Sequence, residues 1–82
     1  MKNQTRVGII GTGFIATGLR YIVEQLEDMQ VASVLTRRQV STLPDAVPFT
    51  NSVDEFLESC QVVVECAGDP IYGTEVVARA LQ

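Results

Sequence analysis

Hydrophobic residues along this chain fall into short runs, separated by stretches that have helical spacing. Short apolar or β-branched runs are typical of strands in a parallel sheet. They predict strands over Arg6–Ile10, Val31–Leu35 and Val62–Val64, and the last of these is apolar at every position, as in a strand covered on both faces. Val47–Phe49 predicts a weaker strand. Its Pro48 favours the edge of a sheet, because proline cannot donate a hydrogen bond to a neighbouring strand.

The stretches between these runs predict helices. Residues Phe14–Glu27 carry apolar side chains on one helix face, at Ile15, Leu19, Ile22, Val23 and Leu26. Residues 52–55, Ser-Val-Asp-Glu, have the form of a capping box and predict a short helix through Glu58. Asp69-Pro70 supplies an N-cap and a first helical residue for a last helix that reaches Leu81.

Residues 37–45 lack a strong period and are predicted to be a loop or a shortened crossover. Right-handed crossovers wind the resulting order of elements into a parallel sheet with strand order 3-2-1-4. The predicted fold class is therefore α/β, a partial Rossmann-type open parallel sheet with helices on both faces. Residues 1–82 form one domain. Because the fourth strand has no further neighbour and the last helix has no terminal cap, we expect the N-terminal portion of a longer protein, or a second copy that shields this edge.

Composition and charge exclude several classes of protein. With 46% hydrophobic residues, the chain is not a disordered acidic tail despite its net charge of −4. Its six basic residues are scattered and only Arg37 and Arg38 are adjacent, so no basic stripe is present to bind nucleic acid. No apolar run approaches the ~20 residues of a membrane span, and glycines interrupt the N-terminal run too early for a signal peptide. We expect a cytoplasmic protein without nucleic-acid or membrane partners.

Cys60 and Cys66 are the two cysteines, and the chain has no histidine. The cysteine spacing matches no redox or zinc signature, so no metal site is predicted. Both cysteines are interpreted as packing residues in a reducing compartment. A nucleophile is the alternative for Cys66, against which stand the lack of a histidine base and a position at the end of a strand that suits packing. Gly8 and Gly18 are interpreted as packing glycines.

The turn after the first strand carries the strongest chemical signal of the chain. Gly11-x-Gly13-x-x-Ala16 is the dinucleotide fingerprint in its alanine-ended form, and it lies between a strand and an amphipathic helix, as this motif requires. Gly11 permits the tight turn, Gly13 lets a pyrophosphate approach the backbone, and Ala16 keeps the helix close to the sheet. The alternative is a structural turn that happens to use two glycines. The predicted pyrophosphate-binding residues are Gly11, Thr12, Gly13, Phe14 and Ile15, through N–H groups at the helix N-terminus.

The end of the second strand indicates which dinucleotide is bound. A fold that prefers NAD usually places Asp or Glu there to bond the ribose 2′-hydroxyl, whereas this chain has Thr36, Arg37 and Arg38. A guanidinium can bond a 2′-phosphate through two N–H groups and stack on adenine, and Thr36 can add a hydroxyl. These residues predict NADP, with NAD as the alternative cofactor, unless the arginines only keep a loop solvated. Residues 50–52, Thr-Asn-Ser, are expected on the same adenine side.

Residues 65–70 leave the fourth strand beside the point where the strand order reverses, and open α/β sheets bind ligands at such a point. Cys66, Ala67 and Gly68 are predicted to lie along the central ribose and the nicotinamide half of the cofactor. Glu65 is interpreted as a partner of the loop backbone, or alternatively as a buried functional carboxylate.

Residues 7–16 (V-G-I-I-G-T-G-F-I-A) and 62–70 (V-V-V-E-C-A-G-D-P) make the chain similar to the N-terminal NAD(P)-binding domain of homoserine dehydrogenase-like oxidoreductases. The wider group includes the Gfo/Idh-type and aspartate dehydrogenases. The resemblance implies that the glycine turn holds the pyrophosphate, that residues 36–38 contact the adenosine ribose and that residues 66–68 lie by the nicotinamide. It covers only part of that domain, and this chain is shorter between the second and third strands. The catalytic residues of these families match no position here, so none is assigned.

These signals favour the NAD(P)-binding portion of a dehydrogenase. Such a chain would position the nicotinamide for hydride transfer to or from a carbonyl-type substrate, with the catalytic residues elsewhere and no activity of its own. One alternative is a non-catalytic nucleotide-sensing module that regulates a partner. Another is a structural remnant with an empty pocket, whose strand-four edge drives dimerisation.

Overall fold

A computed structural model describes residues 3–44, 46–66, 75–79 and 81 of the chain. Within these residues the elements are β1 (Thr5–Ile10), α1 (Phe14–Glu24), β2 (Met29–Leu35), β3 (Phe49–Thr50), α2 (Val53–Ser59) and β4 (Val62–Glu65). Val40–Thr42 forms a 3-10 turn inside the predicted loop, and residues 75–79 are helical. The order of elements is the predicted one. The predicted start of the last helix at Asp69-Pro70 lies outside the described residues.

The four described strands form one parallel sheet with the order β3-β2-β1-β4, which confirms the predicted topology. β1 is central: Thr5–Ile10 pairs with β2 on one side, and Val7–Ile10 pairs with β4 on the other. β3 pairs with β2 through Phe49 and Thr50. Because all the strands are parallel, their carboxyl ends meet at one edge of the sheet, where α/β proteins bind ligands.

A core cluster lies on each face of the sheet. On one face, α1 packs against β1 and β2 through the buried residues Val7, Ile9, Ala16, Val23 and Val34. On the other face, α2 and the helical residues 75–79 pack against the same strands through Ile10, Leu35, Phe56 and Val76. Ile9 and Ile10 belong to different clusters, since successive strand residues point to opposite faces. Helices therefore cover both faces, as the α/β fold class predicts.

Gly8 packs so closely against α2 that no side chain fits at its position. A Cβ at Gly8 would lie 2.6 Å from Sγ of Cys60 and 2.8 Å from two carbons of the Phe56 ring. Phe56 is fully buried, so its ring cannot move aside without disturbing the core. Gly8 is therefore a packing glycine, as predicted. The same prediction is wrong for Gly18, which is exposed and where a Cβ would meet nothing within 4 Å.

α1 differs from its prediction in length and in the face that it buries. It ends at Glu24, three residues early. Ile15 and Ile22 were expected to face the sheet but are 69% and 61% exposed. The residues that pack against the core are Ala16, Leu19 and Val23. The small side chain of Ala16 lets the helix approach the sheet, so the line of contact runs through Ala16 and the residues one and two turns later. None of the helices in the described ranges is long and apolar enough to cross a membrane.

β4 is less buried than its uniformly apolar sequence predicts. Val62 is exposed, and Val63 and Val64 are half-buried. In the part of the chain that the structure describes, β4 pairs with β1 alone, so its other edge is uncovered. Val64 packs against one core cluster and Val63 against the other, so both faces of β4 are covered in part, as its apolar sequence predicts, and the exposure is at Val62.

β3 and the start of α2 follow local signals in the sequence. β3 covers Phe49–Thr50, two residues later than predicted, and it lies at the sheet edge as expected. The carbonyl of Pro48 accepts a hydrogen bond from the N–H of Val34 at 3.0 Å, so the proline contributes an acceptor where it cannot contribute a donor. Ser52 caps α2 as predicted, because its Oγ accepts from the N–H of Glu55 at 3.2 Å.

Replacing Gly8 by alanine should destabilise the fold, because the new methyl group would overlap Phe56 and Cys60. We expect the free energy of unfolding to fall by about 1–3 kcal/mol, the usual effect of overpacking a core. Gly18→Ala is the matched control and should raise the same quantity by about 0.5–1 kcal/mol, since alanine favours a helix interior. Urea unfolding followed by circular dichroism measures both variants. A Gly8→Ala protein as stable as the wild type would contradict the close packing.

Candidate functional site

The candidate site forms where β1 passes into α1. Gly11 follows β1 with a positive φ of 114°, a conformation that residues with a side chain rarely adopt. Its N–H donates to the carbonyl of Leu35, at the end of β2, at 2.9 Å. α1 begins at Phe14, so its N-terminus lies at the carboxyl edge of the sheet. The tight turn predicted for Gly11 is present.

Gly13 has neither a conformational nor a packing reason to be glycine among the described residues. It is the N-cap of α1, with φ −75° and ψ −171°, which is extended backbone that any residue adopts. A Cβ at this position would meet no atom within 4 Å. By contrast, Gly11 needs to be glycine because of its positive φ, and Gly8 because of its close packing. The glycine at position 13 leaves bare backbone beside open space.

The N-terminus of α1 presents unused hydrogen-bond donors at the same place. The N–H of Thr17 donates to the carbonyl of Gly13 at 2.9 Å. The N–H groups of Phe14, Ile15 and Ala16 come earlier in the helix and have no carbonyl one turn before them. Among the described residues, no side chain caps this end of α1, and its first turn has no acidic residue. The positive end of the helix dipole, about half an elementary charge, is thus uncompensated by the described side chains.

An open cavity of about 460 Å³ lies between this turn and the end of β2. It is lined by Gly11, Thr12, Gly13, Leu35, Thr36, Arg37 and Arg38. The fold therefore brings together the two segments that the sequence predicts to contact a dinucleotide. The side chains of Phe14 and Ile15 are not among the described lining residues, and both are strongly exposed. Their predicted contribution is limited to their backbone N–H groups.

The loop after β2 forms the second wall of the cavity. Arg37 and Arg38 are exposed. Thr36 is 3% exposed, and its Oγ1 accepts a hydrogen bond from the N–H of Arg38 at 3.0 Å, so this hydroxyl helps to shape the loop. Asn51 was expected on the adenine side of the site. Its Nδ2 donates to the carbonyls of Thr36 and Arg38, bonds that the sequence did not predict, while its place on the adenine side stays a prediction.

The exit of β4 lies beside the glycine turn. The N–H of Cys66 donates to the carbonyl of Ile10, the last residue of β1, at 2.9 Å. Glu65 is exposed, so the alternative of a buried carboxylate is wrong. Ala67 and Gly68 lie outside the described residues, and their place beside a nicotinamide stays a prediction.

The two cysteines are free thiols with little nucleophilic character. Burial raises the pKa of Cys60, while the Arg6 guanidinium and a backbone hydrogen bond partly oppose this rise. Burial also raises the pKa of Cys66, and the adjacent Glu65 carboxylate raises it further. A nucleophilic cysteine needs a lowered pKa. Both residues also contact the core clusters, which supports the packing interpretation.

Comparison with known proteins identifies the class of fold. No protein-family model matches the chain. In an alignment 67 residues long that covers 77% of the chain, the chain is 33% identical to the meso-diaminopimelate D-dehydrogenase of Lysinibacillus sphaericus, of which it covers 21%. Two crystal structures of S. aureus homoserine dehydrogenase, at pH 8.5 and pH 7.5, match 99% of the chain with a TM-score of 0.80 and 20% sequence identity. The chain covers 24% of that protein.

These matches confirm the Rossmann-type fold and the resemblance to homoserine dehydrogenase-like oxidoreductases. The similar proteins are dehydrogenases. The chain spans less than a quarter of the length of each of them.

The raised pKa values predict slow alkylation of both thiols near neutral pH. The folded protein should react with iodoacetamide more slowly than the same chain unfolded in urea, because a smaller fraction of each thiol is ionised and burial restricts access. In the folded protein, the alkylation rate of each thiol should also reach half of its maximum at a higher pH than in the chain unfolded in urea. Mass spectrometry of quenched samples separates Cys60 from Cys66. A Cys66 that reacts faster in the folded protein would restore the nucleophile interpretation.

Proposed function

We propose that this chain is the dinucleotide-binding portion of an NADP-dependent oxidoreductase. The observation that carries the proposal is Gly13, a glycine without a conformational or packing reason, at a helix N-terminus that opens onto a cavity. A pyrophosphate needs bare backbone, free N–H groups and a positive dipole at such a place. The residues that would hold it are Gly11, Thr12, Gly13, Phe14 and Ile15. The similarity to dehydrogenases supports the same cofactor class.

The opposite wall of the cavity favours NADP over NAD. Arg37 and Arg38 line it, and the described lining includes no Asp or Glu. An acidic side chain here would bond the ribose 2′-hydroxyl of NAD, and it would repel a 2′-phosphate. A guanidinium instead offers two parallel N–H donors and a positive charge to that phosphate. Thr36 belongs to this wall, with a role in the shape of the loop.

The role of this chain is to bind and orient the cofactor, which supplies hydride chemistry at its nicotinamide. Residues 66–68 are proposed to lie along the nicotinamide half, because the β4 exit adjoins the glycine turn through the bond between Cys66 and Ile10. The proposal includes a longer cytoplasmic protein, whose other domain binds a carbonyl-type substrate and supplies the catalytic residues. The greater length of the similar dehydrogenases supports this part. The chain alone should show no turnover.

Gly13→Val should abolish dinucleotide binding while the fold stays formed. Valine adopts the extended backbone of this position, and its side chain would fill the space that a pyrophosphate needs. We expect the affinity for NADPH to fall roughly 100-fold or more, since the charge-assisted bonds to the pyrophosphate are lost. Isothermal titration calorimetry measures the affinity, and circular dichroism verifies the fold.

Gly18→Ala is the matched control for this variant, because it changes another glycine of α1 that does not line the cavity. It should bind NADPH as the wild type does. If Gly13→Val bound NADPH with the affinity of the wild type, the phosphate-binding role of the turn would be overturned.

Arg37→Ala and Arg38→Ala should each weaken NADP more than NAD. Each removes donors to the 2′-phosphate, so the affinity for NADP should fall about 10- to 100-fold while that for NAD changes little. Arg6→Ala removes the same charge at the start of β1, where the Arg6 Nε donates to the carbonyl of Ser59. This control should leave the ratio of the two affinities unchanged. Equal losses for NADP and NAD in the loop variants would refute the 2′-phosphate assignment.

A further inference from the structure

Asn51 holds the loop that carries both arginines, although it is not among the described residues that line the cavity. It follows β3, and its Nδ2 donates to the carbonyl of Thr36 at 2.8 Å and to the carbonyl of Arg38 at 2.9 Å. One side-chain amide therefore bridges the two backbone carbonyls that flank Arg37. Both N–H donors of the amide group are used in these two bonds.

Further hydrogen bonds give the same loop a defined shape. The Oγ1 of Thr36 accepts from the N–H of Arg38 at 3.0 Å, and the N–H of Thr36 donates to the carbonyl of Thr50 at 3.0 Å. β3 has only two residues, so its register with β2 ends at Thr50. Beyond Thr50, the side-chain amide of Asn51 connects the segment after β3 to the loop after β2 as far as Arg38.

We infer that Asn51 is a positioning residue for recognition of the 2′-phosphate, an inference that rests on the proposed binding of NADP. Long arginine side chains lose conformational freedom when they bind a phosphate, and a preorganised backbone lowers that cost. Asn51 fixes the backbone on both sides of Arg37 from the segment that follows β3. NAD has no 2′-phosphate, so its affinity should depend less on the arginines of this loop and more on the glycine turn, to which Asn51 makes no described hydrogen bond.

The variant Asn51→Ala removes both bonds and tests this role. We expect the affinity of the 82-residue chain for NADP to fall about 10- to 30-fold, because binding of the 2′-phosphate must then order a loop that the two hydrogen bonds had held, while the affinity for NAD changes little. Calorimetry with 2′,5′-ADP and 5′-AMP adds a direct readout, because these probes differ only in the 2′-phosphate. The ratio of their affinities should fall by the same factor.

Two further variants make the experiment specific. Gln4→Ala is the matched control, because Gln4 is also an exposed amide whose Nε2 donates to two backbone carbonyls, those of Glu27 and Met29, at the opposite edge of the sheet. It should leave both affinity ratios unchanged. Asn51→Asp keeps the size of the side chain, replaces the donating NH2 group by an acceptor and adds a negative charge that also disfavours a phosphate. It should lower the NADP-to-NAD ratio at least as much as Asn51→Ala.

The possible outcomes separate this inference from the proposed function. A wild-type chain that prefers NADP, together with Asn51 variants that keep the wild-type ratio, would overturn the inference and leave the cofactor site intact. Equal losses for NADP and NAD would also overturn it, because they would reveal a purely structural role. A wild-type chain that binds neither dinucleotide, or that shows no preference for NADP, would overturn the corresponding part of the proposed function and the inference with it.

Discussion

The way in which the chain leaves β1 governs the rest of the site. The positive φ of Gly11 turns the backbone sharply, so α1 begins at Phe14. A side chain at this conformation would cost about 1–3 kcal/mol. A wider turn would move the helix N-terminus away from β2, whose last carbonyl, that of Leu35, accepts the N–H of Gly11 at 2.9 Å. One glycine therefore determines where the free donors of α1 lie and where the cavity opens.

Close packing on both faces of β1 holds this arrangement in place. Ala16 brings α1 against one face, and Gly8 brings Phe56 of α2 against the other. The position of α2 has a consequence at the ligand edge, because its N-cap, Ser52, directly follows Asn51. A buried ring at Phe56 thus helps to fix the residue that bonds the loop after β2. The core and the candidate site are linked through these short connections.

Local patterns explain why much of the fold was predictable. The parallel order of the strands, the Ser52 cap and the edge position of β3 each follow from residues that are close in sequence. The buried face of α1 could not be predicted from local residues. Ile15 and Ala16 are both apolar, and only the distance between helix and sheet decides which of them is covered. The exposure of Val62 in β4 likewise depends on what lies beside the strand.

The candidate site likewise has parts that the sequence predicts and parts that it does not. The glycine turn and residues 36–38 were predicted from motifs, and the fold places both on one cavity. Whether they bind a dinucleotide stays a prediction. The role of Asn51 in the loop was not predictable, because a hydrogen-bond partner 15 residues away depends on how the ends of β2 and β3 meet.

The two walls of the cavity have different physical origins, and this difference separates affinity from selectivity. The wall at the glycine turn is built from consecutive backbone groups, so it depends on the geometry that fixes α1 to the sheet. The wall at residues 36–38 is an exposed loop whose shape depends on side-chain hydrogen bonds from Asn51. Arg37 and Arg38 are exposed, so substitutions at these positions should leave the core clusters unchanged. A fold of this kind can alter its preference between dinucleotides without altering the turn that would hold the pyrophosphate common to both.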